Sequence, residues 1–369
     1  MKRPHILYIV PDLFGPPSGI ARYCRMVCRA LTESGHRVTT ISLLDQNKAR
    51  NEAKATFPDM RYCPCSGDRR QFILRALRAL QMRPDLILVG HPNFAPLGWG
   101  LGLLARAPIV NFIYGVDAWE TLSPMRRRAL CAGKRLISIS RFTAMRSQQV
   151  NAIPQERVRI LHNCLDPNFQ GHAVSGARDI DAKSLLTVAR MSLQEQYKGH
   201  DVVIKALPEL LKRFPGLIYH IVGDGDGRPL LESLSKEHGV ESAVRFHGVV
   251  SEEELIERYQ NASVFVMPSR FEGFGFVFLE AMTYGKPVVC GNADASVEVV
   301  TDGETGFTVD PTSSQAVGDA VARLLEDNEL RAHMGEAAIR RVEEKFGFPH
   351  FKEQLLSFLS EVRPALVTK

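Results

Sequence analysis

Two glutamates, Glu272 and Glu280, stand eight positions apart around a Gly-Phe-Gly turn. The turn follows an apolar segment, 263–268, whose composition predicts a buried strand, and the residues after it favour a helix. A strand, a glycine turn and a helix start can present backbone N–H groups to a phosphate. In that arrangement one carboxylate, Glu272 in the turn, can face a sugar, while the other, Glu280, about two helical turns further on, can face a ribose.

Two cations follow a second predicted strand at 185–188. Arg190 comes just after that strand, and Lys198 lies in the loop ahead of a predicted helix start at 199–201. Cations beyond the end of a strand can neutralise a diphosphate and stabilise its charge as it departs. The alternative interpretation is a pair of solvated surface cations.

The segment EGFGFVFLEA, which contains both glutamates, resembles the Glu-x7-Glu motif of retaining, nucleotide-sugar-dependent glycosyltransferases of the GT-B fold. It is most similar to glycosyltransferase family 4. Flanking segments agree in order along nearly the whole chain: a glycine loop at 15–19, YGVDAWE at 114–120, ISIS at 137–140, LHNCLDPNF at 161–169, LTVAR at 186–190, YKGHDVVIKAL at 197–207, HIVGDGDG at 220–227 and RFHGVVSEEEL at 245–255. The ordered set, not any single segment, carries the resemblance.

The resemblance implies an α/β architecture of two doubly wound Rossmann-like domains facing a cleft. A C-terminal helix is then expected to cross back to the first domain. It also implies roles for the residues already singled out: Arg190 and Lys198 meet the diphosphate, Glu272 binds hydroxyls of the transferred sugar and Glu280 accepts hydrogen bonds from the ribose hydroxyls. Further donor contacts, mostly through the main chain, are implied for Gly19, Gly225, Val250, Gly273, Phe274, Gly275, Phe276 and Val277.

The N-terminal half departs from the family pattern at two positions. Ser18 stands where a glycine pair is usual, and Tyr114 stands where relatives commonly have a histidine near the donor sugar. Tyrosine can donate a hydrogen bond but cannot act as a base near neutrality, because its pKa is about 10. Asp117 or His91 could take part of that role. Asn163 could face the sugar or acceptor, or only cap a turn.

The implied chemistry is retaining hexosyl transfer in which the leaving phosphate accepts the acceptor's proton. No cofactor or metal is required, although Asp224 and Asp226 have the spacing of a metal-binding pair. The favoured donor is a UDP-hexose such as UDP-glucose, and the alternative is GDP-mannose. The implied acceptor is a glycan or a polyprenyl-diphosphate-linked sugar in bacterial exopolysaccharide or other cell-surface glycan synthesis.

Two other function classes compete with this one. A nicotinamide dehydrogenase is disfavoured because no Gly-x-Gly-x-x-Gly follows the first predicted strand. A catalytically silent nucleotide-sugar-binding scaffold stays open, since Ser18 and Tyr114 depart from the family.

The chain of 369 residues is long enough for two domains. Apolar, strand-like runs alternate with helical spacing, which favours parallel sheets covered on both faces. The predicted strands are 6–10, 37–43, 86–89, 109–113, 136–140, 184–188, 218–222, 244–246, 264–267 and 287–290. We expect an acceptor domain at 1–170, completed by the helix at 348–369, and a donor domain at 171–347, with a linker at 170–183.

Charge is distributed unevenly along the chain. Residues 1–170 carry a net charge of +14, whereas the remainder carries −9. This asymmetry predicts an anionic partner for the first half, such as a membrane surface, or else a solvated basic face. Nothing resembles a base-reading motif, so nucleic acid is not expected. With seven scattered cysteines and no long apolar run, we expect a cytoplasmic protein with reduced thiols, peripheral on the inner face of the plasma membrane.

Overall fold

The computed structural model describes residues 3–15, 18–167, 169 and 183–364. The strands are β1 (His5–Val10), β2 (Arg37–Ser42), β3 (Arg61–Pro64), β4 (Leu86–Val89), β5 (Ile109–Ile113), β6 (Arg135–Ser138), β7 (Val158–Ile160), β8 (Ser184–Val188), β9 (Ile218–Val222), β10 (Val244–Gly248), β11 (Val264–Met267), β12 (Val288–Gly291) and β13 (Gly306–Val309).

The α-helices alternate with these strands along the chain. They are α1 (Gly19–Glu33), α2 (Ala49–Thr56), α3 (Arg69–Ala79), α4 (Ala95–Ala105), α5 (Val116–Trp119), α6 (Pro124–Ala132), α7 (Arg141–Asn151), α8 (His200–Arg213), α9 (Arg228–Glu237), α10 (Glu252–Asn261), α11 (Phe276–Thr283), α12 (Ser296–Val299), α13 (Ser314–Glu326), α14 (Asn328–Lys345) and α15 (Phe348–Val362). Short 3₁₀ turns connect several of them.

The first sheet is parallel, with seven strands in the order β3-β2-β1-β4-β5-β6-β7. The chain runs outward from β1 to β3 and then crosses to β4 on the other side of β1. Such a reversal opens a crevice beyond the carboxyl ends of the two central strands, and this is where open α/β sheets bind ligands. The segments at 11–15 and 90–94 therefore flank the natural ligand position of this sheet.

The second sheet is also parallel, with six strands in the order β10-β9-β8-β11-β12-β13. Its reversal lies between β8 and β11, which are hydrogen-bonded neighbours. The loops after these two strands carry the cations and the Glu272 turn. The α/β fold with two parallel sheets is confirmed, whereas β3, β7 and β13 were not among the predicted strands.

The chain divides into two compact units. One contains Met1–Asp166 together with Gly347–Lys369, and the other contains Pro167–Phe346. The expected linker at 170–183 lies outside the described residues except for Lys183. No helix in the described ranges combines the length and apolarity needed to span a bilayer.

Helix α15 belongs to the first unit although it ends the chain. Its Phe351 is buried, and its ring lies edge-on to Tyr23 of α1 with 5.4 Å between centroids. Glu361 Oε2 forms ion pairs with Arg135 Nε at 3.2 Å and with Arg159 Nη2 at 2.7 Å. The helix is therefore held by the buried contact between Phe351 and Tyr23 and by the ion pairs of Glu361 at its end.

Replacing Phe351 with alanine removes its buried ring and the contact with Tyr23. It should lower the free energy of unfolding of the first unit by about 3–5 kcal/mol. Urea denaturation followed by circular dichroism measures the change. Glu353→Ala, an exposed position on the same helix, is the control and should change stability by less than about 0.5 kcal/mol. Equal midpoints for the two variants would contradict the packing described for α15.

Candidate active site

The turn between β11 and α11 is fixed by a glycine and two buried rings. Gly275 has a φ of +90°, and a Cβ there would lie 2.4 Å from the ring of Phe278. Phe274 and Phe278 are buried in the core. These constraints hold Gly273 in the turn and fix where Phe276 begins the helix. Val277 follows Phe276 in the first turn of α11.

The side chain of Glu272 projects from this turn onto Lys198. The Lys198 ammonium lies 2.7 Å from Glu272 Oε2, and the two side chains are only 16% and 15% exposed. The other carboxylate oxygen accepts a long hydrogen bond, 3.4 Å, from the N–H of Phe274. The residue predicted to meet the diphosphate and the residue predicted to meet the sugar are thus brought together, and they pair with each other.

Lys198 is positioned by the backbone that follows it. It ends a 3₁₀ turn at Leu193–Lys198, and Gly199 then adopts a φ of +83°. A Cβ at Gly199 would lie 2.4 Å from the carbonyl oxygen of Pro268, so the loop after β8 packs directly on the start of the Glu272 turn. Arg190 stands earlier in the same loop and is exposed.

Glu280 lies on α11 and is 2% exposed. Its Oε2 accepts a hydrogen bond of 2.7 Å from the hydroxyl of Tyr259. The ring of Tyr259 stacks on Tyr284 with 5.7 Å between centroids, and Phe169 lies edge-on to both tyrosines. The carboxylate is therefore held by an aromatic cluster that sequence reasoning missed, since its members are far apart in the chain.

The glycine-rich loop after β9 is tied to both neighbouring loops. The N–H of Gly223 donates to Gly248 O at 2.8 Å, just ahead of Val250. The carboxylate of Asp226 accepts the N–H of Leu193, also at 2.8 Å, and so holds the loop that leads to Lys198.

Close packing explains the glycine within this loop. A Cβ at Gly225 would lie 2.3 Å from Met191 O, so a larger residue does not fit. Asp224 accepts the N–H of Gly225. Among the described residues, no group of three His, Cys, Asp or Glu side chains is arranged to hold a metal ion.

At the reversal point of the first sheet, two predicted residues act as local caps. The Ser18 hydroxyl accepts the N–H of Ala21 at 3.1 Å and so caps α1, which begins at Gly19. His91 Nδ1 accepts the N–H of Asn93. Burial, together with the charge of Arg126, lowers the pKa of His91 to about 4. His91 is therefore a neutral imidazole near neutrality.

Tyr114 points into the interior of the first unit. Its hydroxyl lies 3.6 Å from Cys24 Sγ, and its ring is edge-on to Tyr23 at 5.4 Å. Burial raises its pKa well above the ordinary value. The hydroxyl is thus engaged in the core of this unit.

Asp117 folds back on the turn that precedes it. Its carboxylate accepts the N–H groups of Tyr114 at 3.2 Å and Gly115 at 2.5 Å. Burial raises the pKa of Asp117 to about 6, although these N–H groups favour the ionised form. Asn163 is buried as well, and its Oδ1 has no hydrogen-bond partner among the described residues.

Two family models match successive parts of the chain. The model described as Glycosyltransferase Family 4 matches residues 17–169, and the model described as Glycosyl transferases group 1 matches residues 175–341. An uncharacterized glycosyltransferase of Methanocaldococcus jannaschii is 26% identical, with 92% of this chain and 93% of that protein aligned. A GDP-mannose-dependent alpha-(1-6)-phosphatidylinositol monomannoside mannosyltransferase of Mycobacterium tuberculosis is 37% identical over 47% of each chain.

Solved structures agree on the fold. HepE of Anabaena in complex with UDP superposes with a TM-score of 0.79 at 20% identity, covering 96% of this chain and 99% of that one. A glycosyltransferase from Rickettsia africae superposes with a TM-score of 0.81 at 18% identity, covering 98% and 99%. Together with the two matched models and the pair of doubly wound sheets, these likenesses identify the chain as a glycosyltransferase of the GT-B fold and of the family 4 type.

Proposed function

We propose that the protein transfers a hexose, with retention of configuration, from a nucleotide-diphosphate sugar to a glycan or polyprenyl-diphosphate-linked acceptor in cell-surface polysaccharide synthesis. The observation that carries the proposal is the pairing of Lys198 with Glu272 where the strand order of the second sheet reverses. A UDP-hexose such as UDP-glucose is the favoured donor. GDP-mannose is the alternative, and the name of the mycobacterial relative supports it.

The donor would replace the ion pair by two separate contacts. Lys198, together with Arg190, would bind the diphosphate, where cations stabilise the charge that develops on the leaving group. Glu272 would then accept hydrogen bonds from sugar hydroxyls, and the first turn of α11 at Phe276 and Val277 would add its N–H groups to the anion site. Glu280 would accept the ribose hydroxyls.

The arrangement around Glu272 favours a one-step transfer on a single face of the sugar. A double displacement needs a carboxylate nucleophile below the anomeric carbon. Glu272 is held by the Lys198 ammonium and by the N–H of Phe274, which suits hydroxyl binding better than attack. The leaving phosphate would therefore accept the proton of the acceptor hydroxyl.

A catalytically silent scaffold is the second candidate function. It is favoured by Tyr114, whose hydroxyl is buried against Cys24 where relatives commonly have a histidine. Slow hydrolysis of a donor in the absence of acceptor distinguishes the two candidates. An active transferase releases nucleoside diphosphate, whereas a scaffold binds the nucleotide sugar and leaves it intact.

A surface formed by α3, α4 and α6 fits an anionic membrane that would present a lipid-linked acceptor. The three helices contain seven arginines and no Asp or Glu, and α4 packs against both α3 and α6. Large apolar side chains on the same helices are exposed: Ile73, Leu74, Leu77, Leu103, Leu104 and Met125. Arginines beside exposed leucines are typical of an interfacial surface, and they support a peripheral location on the inner face of the plasma membrane.

Glu280→Gln should weaken donor binding at least about tenfold, because the ribose loses a hydrogen bond to a charged group worth about 1.5–3 kcal/mol. Titration calorimetry with UDP-glucose and GDP-mannose measures the change and also chooses between the two donors. Glu257→Gln, at an exposed position of the same unit, is the matched control and should leave the affinity unchanged. Unchanged affinity in Glu280→Gln would remove this residue from the ribose site.

Activity should persist in EDTA, because Arg190 and Lys198 are proposed to neutralise the diphosphate without a metal ion. Both aspartates of the glycine-rich loop already accept backbone N–H groups. Nucleoside diphosphate release is measured with and without the chelator. Complete loss of activity that Mg²⁺ or Mn²⁺ restores would assign a metal to Asp224 and Asp226 instead.

The protein should bind anionic vesicles in a salt-sensitive manner, and replacing Arg126, Arg127 and Arg128 with Gln should weaken that binding. Each basic residue near an anionic surface contributes about 1 kcal/mol, screened over a Debye length. Flotation with anionic and neutral vesicles at low and high salt measures it. The control variant removes three cations from the other unit by replacing Lys205, Lys212 and Arg213 with Gln. Equal recovery with both kinds of lipid would contradict the membrane proposal.

A further inference from the structure

A buried carboxylate, Asp294, lies beneath the Glu272 turn in the loop that follows β12. Its side chain is 1% exposed although it belongs to a loop. Its Oδ2 accepts hydrogen bonds from the hydroxyl of Ser269 at 2.8 Å and from the N–H of Glu272 at 2.7 Å. Its Oδ1 accepts the N–H of Ser296 at 2.9 Å. Buried carboxylates are costly unless they are fully hydrogen-bonded, and these three donors meet that requirement.

The same loop also holds the carbonyl side of Glu272. The N–H of Ala295 donates to Glu272 O at 3.2 Å. Asp294 and Ala295 therefore hydrogen-bond the N–H and the C=O of Glu272, respectively. This contact is possible because β11 and β12 are paired in register, with Met267 opposite Cys290, and their loops leave the sheet side by side.

The backbone of the loop after β12 also packs closely against the backbone of the Glu272 turn, which makes these hydrogen bonds rigid. A Cβ at Gly291, the last residue of β12, would lie 2.0 Å from Ser269 O. The loop that carries Asp294 therefore starts in direct contact with the Glu272 turn, and it has no room to move toward that turn.

We propose that Asp294 is a positioning residue for sugar transfer, which sets the main chain of Glu272 so that its carboxylate meets the hydroxyls of the transferred hexose. The inference rests on the proposed role of Glu272 as the sugar-binding carboxylate. Lys198 holds the side chain of Glu272, while Asp294 holds its backbone, and the two contacts are made on different atoms. Loss of the backbone contact alone should therefore move the carboxylate without removing it.

An ionised aspartate suits this position because the residue must accept from donors at both oxygens. Asparagine has one acceptor oxygen and one NH₂ group. If its oxygen faces Glu272, its NH₂ group opposes the N–H of Ser296, and the flipped orientation opposes the N–H of Glu272. Asp294→Asn is therefore close to isosteric, yet it disrupts the hydrogen bonds that position Glu272.

The test compares the nucleotide with the nucleotide sugar in Asp294→Asn. Titration calorimetry gives Kd for UDP and UDP-glucose, or for GDP and GDP-mannose if those bind the wild-type protein. Donor hydrolysis gives kcat. We expect the Kd of the bare nucleoside diphosphate to stay within about threefold, because Glu280 and the cations are untouched. The affinity gained from the sugar and kcat should each fall about tenfold, which corresponds to roughly one lost hydrogen bond to a charged group.

A matched control and a second variant keep the test decisive. Asp302→Asn removes an exposed carboxylate that accepts the N–H of Thr308 and should leave all values unchanged. Ser269→Ala removes one donor to Asp294. It should change the ratio of the Kd of the nucleotide sugar to the Kd of the nucleoside diphosphate in the same direction as Asp294→Asn, but by a smaller factor. It replaces Asp294→Asn if that variant does not fold.

Three outcomes separate this inference from the proposed function. Equal losses for nucleotide and nucleotide sugar, together with a lower melting temperature, would overturn it, because they show general loosening of the unit. Unchanged ratios in Asp294→Asn while Glu272→Gln loses the sugar contribution would overturn the positioning role alone. An unchanged ratio in Glu272→Gln would overturn the proposed sugar contact of Glu272 and, with it, the role of Asp294.

Discussion

The ion pair between Lys198 and Glu272 is the interaction on which the candidate site depends. It joins the loops that follow β8 and β11, and these strands are neighbours only because the strand order reverses between them. Both side chains are mostly shielded from water, so neither charge is easily left without a partner. A ligand that separates them must therefore supply an anion for Lys198 and hydrogen-bond donors for Glu272. A sugar diphosphate carries both the anion and the hydroxyl donors, whereas a bare nucleotide offers no sugar hydroxyl to Glu272.

The backbone around this pair is rigid for reasons that single residues explain. Gly199 and Gly275 adopt positive φ angles in places where a Cβ would collide with a neighbour. Asp226 ties the glycine-rich loop to the loop that carries Lys198, and Asp294 ties the turn of Glu272 to the loop after β12. Glycines and buried hydrogen bonds hold the backbone in place, so that only the side chains of Lys198 and Glu272 would have to separate for a donor, and such preorganised electrostatics contribute strongly to transfer reactions.

Much of this architecture could be predicted from the chain, because glycines and apolar runs have local consequences. The turn between Glu272 and Glu280 and the alternation of strands and helices are of this kind. The edge strands β7 and β13 were missed, because most of their residues are only half-buried and they lack the continuous apolar run of the central strands. Asp294 and Tyr259 were missed for another reason: each meets a glutamate more than twenty positions away, and only the register of the sheet or the packing of helices brings them together. The direction of the Tyr114 hydroxyl is likewise a property of packing, not of residue type.

The proposed roles of Lys198 and Glu272 are tested most directly by the distance between Lys198 Nζ and Glu272 Oε2 in a crystal structure of the protein with a nucleotide sugar bound. We expect the 2.7 Å contact to open, with the ammonium on a diphosphate oxygen and the carboxylate on hydroxyls of the hexose. A donor bound elsewhere, with the ion pair still closed, would contradict it.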